Sequence, residues 1–344
     1  MKSGCCKSHA KQLADVLVAA DVRGHYSHGL NRLDMYMRDV EKKVCNGDGA
    51  PIILQERDAS AWIDGNNLLG PVVGNYCIDI AVKKAKKAGV GFVVAKGSNH
   101  FGIAGWYSMR AMDQNCIGLA FTNTSPIMYP TRSSKAALGT NPLTIAAKGM
   151  HGDSFVLDMA TTSVAIGKVE IASRKNQTIP KTWGVSQDGH VSTDPQKILK
   201  EGGLLPLGGT EIEGGYKGYG LAALVEIFCG ILGGAHWGPN VRKWMSTADK
   251  ADLGQCFIAI DPTAFAPNFS ERLQKLMDTM RNLPSNAGKN VLIAGDPERE
   301  HIELVKKLNG IPYHPKQIEY AVSLFYVLFS PKYYISFLHI CHSN

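Results

Sequence analysis

Apolar positions recur along this chain with two periods. Leu13, Val16, Leu17 and Ala20 fall three to four residues apart, the spacing of one helix face over residues 10–20. Residues 30–44 repeat that period with more polar content. Residues 21–30, between them, hold too much Gly, Ser and His to be plain core. Residues 60–65 predict a short strand closed by an Asp-Gly turn. Gly70-Pro71 opens a helix expected to run to about Lys87, with proline suited to a first turn. Three short apolar runs, at 89–95, 117–122 and 154–158, are bounded by glycine or polar turns and predict buried strands. Residues 205–220 carry six glycines and read as a loop leading into an apolar helix at 221–232. A strand at 256–260 and an amphipathic helix at 270–280 follow. The expected class is therefore mixed α/β.

The tail has its own pattern. Residues 321–330 are apolar, but Pro331 and Lys332 interrupt them after ten positions. A membrane span needs roughly 20 apolar residues, so no membrane partner is expected and this stretch is read as an atypical C-terminal extension. At 344 residues, length alone suggests two domains or one large one. The 44% hydrophobic and 19% charged content excludes a disordered or fibrous chain. A net charge of +7 permits an anionic ligand. It does not point to nucleic acid, because the densest basic stretch, at 83–87, has the spacing of a solvated helix face. The eight cysteines include no Cys-x-x-Cys, and the start of the chain has no apolar signal segment. A reducing, cytoplasmic location is expected.

Chemistry concentrates in residues 23–32, Arg-Gly-His-Tyr-Ser-His-Gly-Leu-Asn-Arg, which hold two histidines, two arginines and a serine. If residues from Leu30 onward are helical, His28 lies at the helix edge and Arg32 one turn later on the same face. That pair suits a 2-oxo or 2-hydroxy acid. The arginine grips a carboxylate, and a histidine exchanges the proton of the neighbouring oxygen. The bland alternative is a set of caps and surface pairs, which so dense a group makes less attractive. A zinc site on His25 and His28 lacks an obvious third ligand, so no metal is expected. His100, just after the strand at 89–95, stands where α/β sheets open their ligand crevices, although a turn histidine is an equal reading of that segment alone. The one Gly-x-Gly-x-x-Ala match, at 218–223, follows no buried strand and lacks the acidic residue of a Rossmann fingerprint. What survives is a glycine-rich turn with Lys217 at a helix start, an anion site in kind. Residues 158–163, where a strand gives way to hydroxyls, offer a similar case.

Taken together, these segments resemble the type-2 malate/L-lactate dehydrogenase family, in five motifs: residues 23–29 with Arg32, Ser98-Asn-His-Phe-Gly102, Gly139-Thr-Asn-Pro142, Asp158-Met-Ala-Thr-Thr-Ser163 and Gly215-Tyr-Lys-Gly218. They occur in the family's order over roughly residues 10–318. The resemblance implies a homodimeric, NAD- or NADP-dependent oxidoreductase. It would move a hydride between nicotinamide and C2 of a small 2-hydroxy or 2-oxo acid, with malate/oxaloacetate or a relative foremost. The alternatives are a reductase of cyclic imine carboxylates and a catalytically inactive member. It also implies a non-Rossmann α/β nucleotide-binding domain at 74–220. A largely helical companion and dimerisation domain would comprise 1–73 with 221–320, and the tail 321–344. By motif, His28 matches the acid/base histidine with Ser27 beside it, Arg32 the substrate-carboxylate arginine, and His100 a second active-site histidine. Thr161, Thr162, Ser163, Gly167, Tyr216, Lys217 and the turn Gly295-Asp296-Pro297 match nucleotide contacts, and Asn141 is expected near the nicotinamide. Relative to the family, the chain starts close to its first helix and departs from the usual ending beyond about Glu319.

Overall fold

A computed structural model describes residues 1–286 and 288–328; the expectations for residues 329–344 lie outside the described part. Seven strands form one mixed sheet: β1 (Ile52–Glu56), β2 (Ser60–Asp64), β3 (Val90–Ser98), β4 (Ile117–Thr122), β5 (Leu143–Lys148), β6 (Ser154–Met159) and β9 (Leu253–Ile260). Their order is β1-β2-β3-β9-β4-β5-β6. A second, two-stranded sheet pairs β7 (Gly184–Val185) with β8 (Gly203–Leu204). In the large sheet only β2 and β3 run parallel; every other pair is antiparallel. A doubly wound parallel sheet, and with it a Rossmann domain, is absent among the described residues. This agrees with the missing fingerprint.

The long α3 (Gly70–Ala88) lies against β3 and β9 and supplies more of the main core than any other element, with Val73, Cys77, Ile78 and Ala81 fully buried. Leu13 and Leu17 of α1 (Lys7–Val22) and Met35, Tyr36 and Val40 of α2 (Leu33–Glu41) close the same core. On the sheet's opposite face, Val94, Phe121 and Cys256 pack on Val225 and Cys229. The remaining helices are α4 (Gly105–Asp113), α5 (Ile166–Arg174), α6 (Pro195–Glu201), α7 (Gly215–Glu226), α8 (Phe269–Arg281), α9 (Asp296–Leu308) and α10 (Pro315–Leu328). No helix of the described residues is long and apolar enough to cross a membrane.

Two departures from the sequence reading have clear causes. The glycine-rich stretch at 205–220 becomes helical from Gly215. The glycines there serve contact rather than flexibility: a Cβ on Gly218 would lie 2.4 Å from the backbone nitrogen of Leu207, so only glycine lets α7 rest on the preceding segment. The sheet also draws β1, β2 and β9 from outside residues 74–220, and β9 lies at its centre. The expected domain limits therefore cut across one continuous sheet.

Candidate active site

Every chemical group singled out near residue 28 is held by a specific backbone arrangement. The buried Asp21 at the end of α1 accepts the Leu30 N–H at 2.8 Å and the Tyr313 hydroxyl at 2.6 Å. Leu30–Arg32 is a short 3₁₀ turn that runs directly into α2. This places His28 just before the turn and Arg32 at its end. Arg32 Nε donates to the Ser27 carbonyl at 2.7 Å. Its guanidinium lies over the Trp244 ring, 5.3 Å from the centroid, with Glu170 at 3.7 Å. The cation is thus fixed by a carbonyl and an aromatic face, with only a distant carboxylate for a counter-charge.

His100 enters from the loop after β3. Its ring stacks on that of His28, with centroids 5.7 Å apart and planes 21° from parallel. His100 Nδ1 lies 2.6 Å from the Tyr36 hydroxyl and 3.3 Å from the Gly102 N–H. A backbone N–H can only donate, so Nδ1 is the acceptor, the tyrosine donates too, and the proton of neutral His100 sits on Nε2. His28 Nδ1 lies 2.9 Å from Ser27 Oγ. Burial, reinforced by the positive charge of Arg32, holds the His28 pKa down at about 3. Burial and the neighbouring His28 hold His100 well below the usual imidazole range. Both rings are neutral at pH 7.

These groups line one side of a cavity of about 310 Å³. The other side comes from the sheet edge where β3, β4 and β6 end and β5 begins. It includes Thr124, Thr140, Pro142, Met159, Thr162 and Ser163, then Gly167 in the first turn of α5. Asp158 also faces the cavity. Its carboxylate accepts the N–H of Gly105 at the start of α4 at 2.7 Å, and burial pushes its pKa up. The wall mixes apolar surface from Ile103, Val164, Ile166 and Leu207 with hydroxyls and a helix start. This composition fits a flat, partly apolar ring that carries polar substituents. At Gly167 the space is already tight, since a Cβ there would lie 2.9 Å from that of Ser27.

The cavity gathers His28, Ser27, Arg32, His100, Thr162, Ser163 and Gly167. Thr161 is buried behind the wall, its hydroxyl donating to the carbonyls of Thr140 and Asn141. Asn141 turns away from the cavity, although Thr140 and Pro142 on either side line it. Its amide donates to the Ala222 carbonyl and to Glu226, and its Oδ1 accepts the Thr124 N–H. Tyr216 and Lys217 are exposed on the first turn of α7, which rests on the cavity residue Leu207. Gly295, Asp296 and Pro297 begin α9 outside the cavity, and the Asp296 carboxylate is taken up by Arg281 and Arg299. Among the groups that escaped the sequence reading are Asp158 and Trp244 on the cavity wall and Tyr36 behind His100. Tyr36 had a signal, lying four residues beyond Arg32 on the same helix face. Asp158 stood in a motif without a role of its own. Trp244 sits in a loop with no periodicity and reaches Arg32 only through the fold.

Known proteins resemble this chain in sequence and in fold. The model of the malate/L-lactate dehydrogenase family matches residues 1–320. Malate dehydrogenase of Pyrococcus horikoshii is 38% identical over 323 residues, covering 92% of this chain and 88% of that one. L-sulfolactate dehydrogenase of Methanocaldococcus jannaschii is 41% identical over 302 residues, covering 87% and 85%. The crystal structure of malate dehydrogenase from Entamoeba histolytica superposes with a TM-score of 0.90 at 32% identity, covering 96% of this chain and 94% of that one. With a full-length family match, relatives well above 30% identity and a matching fold, this chain belongs to the malate/L-lactate dehydrogenase family.

Proposed function

We propose that the protein oxidises malate, or a close relative with an anionic group on C3, to the 2-oxo acid, and catalyses the reverse reduction. The observation that carries this reading is the neutral His28 beside the fixed cation of Arg32 in one cavity. Arg32 binds the C1 carboxylate. His28 takes the proton of the C2 hydroxyl. For this its Nδ1 proton donates to Ser27 Oγ, 2.9 Å away, which leaves Nε2 unprotonated and able to accept. His100, with its proton on Nε2 and Nδ1 held by Tyr36, donates a hydrogen bond to the same substrate oxygen and orients it.

NAD or NADP supplies the hydride chemistry when bound. Thr162, Ser163 and Gly167 would hold its nicotinamide half, with Thr161 and Asn141 bracing the wall behind them. Tyr216 and Lys217 on the first turn of α7 are offered to the phosphates. Gly295, Asp296 and Pro297 would form the outermost contact through their backbone, since the Asp296 side chain is already engaged. The protein is proposed to act as a homodimer. In support, Tyr219, Leu224, Ile227 and Ile231 expose an apolar stripe along α7 and its continuation, with Ile227 59% exposed. Seven unpaired cysteines among the described residues support a reducing, cytoplasmic location.

The test is a panel of malate, lactate, sulfolactate, ureidoglycolate and a cyclic imine carboxylate, each with NAD and NADP, on the wild type and His28→Ala. Malate turnover that falls by roughly 10²–10⁴ in the variant is expected for a lost proton-transfer group. Near-normal turnover by His28→Ala would sink the assignment. Preference for the imine would move the substrate to the C=N class.

A further inference from the structure

Far from the cavity, the start of α1 brings together three side chains that no dehydrogenase chemistry needs. Cys6 is the residue before the helix, His9 lies in its first turn, and Asp48 sits on the loop between α2 and β1. One ligand atom from each, a thiol sulfur, a ring nitrogen and a carboxylate oxygen, lies within 4.8 Å of the other two. His9 is only 6% exposed, and its Nδ1 is a buried nitrogen without a hydrogen-bond partner. A buried polar atom left in this way is costly unless something fills it. The two segments are held together independently of these side chains. The Cys6 N–H donates to the Gly47 carbonyl at 3.0 Å. A Cβ on Gly47 would lie 2.6 Å from the Gly4 carbonyl oxygen. The Asp48 carboxylate in turn accepts the Gly49 N–H at 2.9 Å.

We propose that Cys6, His9 and Asp48 form a binding site for a single zinc-class divalent ion. A sulfur, an imidazole nitrogen and a carboxylate oxygen make a borderline-soft donor set suited to Zn²⁺. Around a tetrahedral ion with bonds of about 2.0–2.3 Å, ligand atoms lie roughly 3–4 Å apart. Small rotamer changes of Cys6 and the exposed Asp48 bring the present spacing to that value. The fourth position falls to water. On binding, the Cys6 thiol loses its proton to solvent and a zinc–sulfur bond forms, with no change of oxidation state. The ion pins the start of α1 to the loop that follows α2. It touches neither His28 nor Arg32, so its role is to stabilise and not to catalyse.

The experiment uses the full-length, tag-free protein stripped with a chelator, then titrated with Zn²⁺ against a chromogenic competitor and with Co²⁺ as a spectroscopic probe. One equivalent should bind, with a thiolate-to-cobalt charge-transfer band in the near ultraviolet and a melting temperature that rises with Zn²⁺. Cys6→Ala should abolish the band. Asp48→Asn, at an exposed position that leaves folding intact, should weaken Zn²⁺ binding at least about tenfold. Both should keep the wild-type dehydrogenase turnover. Cys5→Ala, the neighbouring thiol, should retain the band. A wild type that shows no band, or a band that survives in Cys6→Ala, overturns the proposal. So does Zn²⁺ affinity that is unchanged in Asp48→Asn.

Discussion

Burying a histidine beside an arginine decides its protonation before any substrate arrives. With its pKa held at about 3, His28 is a neutral base throughout the physiological range. Binding of a carboxylate changes this, because neutralising Arg32 removes the positive charge that opposes protonation while burial remains. The pKa of His28 must therefore be higher in the substrate complex than in the free enzyme. kcat/KM reports the free enzyme and kcat the complex. In the oxidative direction, activity is lost as pH falls and His28 takes up its proton. The acid limb of kcat should thus lie at higher pH than the acid limb that His28 sets on kcat/KM. Initial-rate profiles with saturating and limiting malate measure both limbs, and coincident limbs would contradict the pairing of His28 with Arg32. The same two residues were the most legible part of the site, because their chemistry is packed into ten consecutive positions. Tyr36, whose hydroxyl bonds to His100 Nδ1, was less so. A tyrosine at the helical spacing of a core residue looks like core, and only the fold shows its hydroxyl meeting an imidazole.

Elements declared themselves in the sequence when their burial was uniform. Strands β3 and β4 and helix α3 bury long apolar runs, and their positions agree with expectation to within a few residues. Strand β1 was missed because its apolar run, Ile52-Ile53-Leu54, is only three residues long and all five of its residues are exposed, so no alternation marks it. Helix α9 was missed for a related reason: none of its residues is fully buried. Charge holds it in place instead. Arg281 of α8 bridges Asp153, from the turn between β5 and β6, and Asp296, the first residue of α9, while Arg299 adds a second contact to Asp296. The Arg281 guanidinium draws the Asp153 pKa down to about 2. This depressed carboxylate stabilises the fold above pH 4 and ceases to do so as pH falls through about 2. Arg281→Met leaves two partly buried carboxylates short of their main partner. It should cost about 1–3 kcal/mol, lower the melting temperature at pH 7 and open residues 290–308 to limited proteolysis. An unchanged melt and digestion pattern would show that α9 is anchored by other contacts.

At the scale of the molecule, the proposed active-site cavity is assembled from residues between 25 and 244, so it depends on the whole body keeping its shape. The exposed stripe on α7 begins beside the proposed phosphate contacts, and dimer formation would bury it. Ile227→Glu with Ile231→Lys should convert a dimer to monomer in light scattering while the isolated fold persists by circular dichroism; a wild type that is already monomeric removes the stripe from this role. The C-terminal end bears on stability in a different way. The family match stops at residue 320, and two described contacts tie the segment before that point to the body. The Tyr313 hydroxyl bonds to Asp21, and Tyr26 meets the Pro312 carbonyl. Residues 321–329, in contrast, combine apolar, aromatic and β-branched side chains without a charge, the composition that promotes association when exposed. A chain ending at Tyr320 should therefore stay folded, bind the dinucleotide with unchanged tryptophan quenching, and elute with less aggregate than the full-length protein. The physical alternative is that residues beyond 320 cover an apolar groove formed by Leu13, Leu17, Leu33 and Met37. In that case the shortened chain would melt at lower temperature and aggregate more. Thermal melts and gel filtration of the two proteins side by side decide the matter, and a destabilised short chain would assign the tail a structural role.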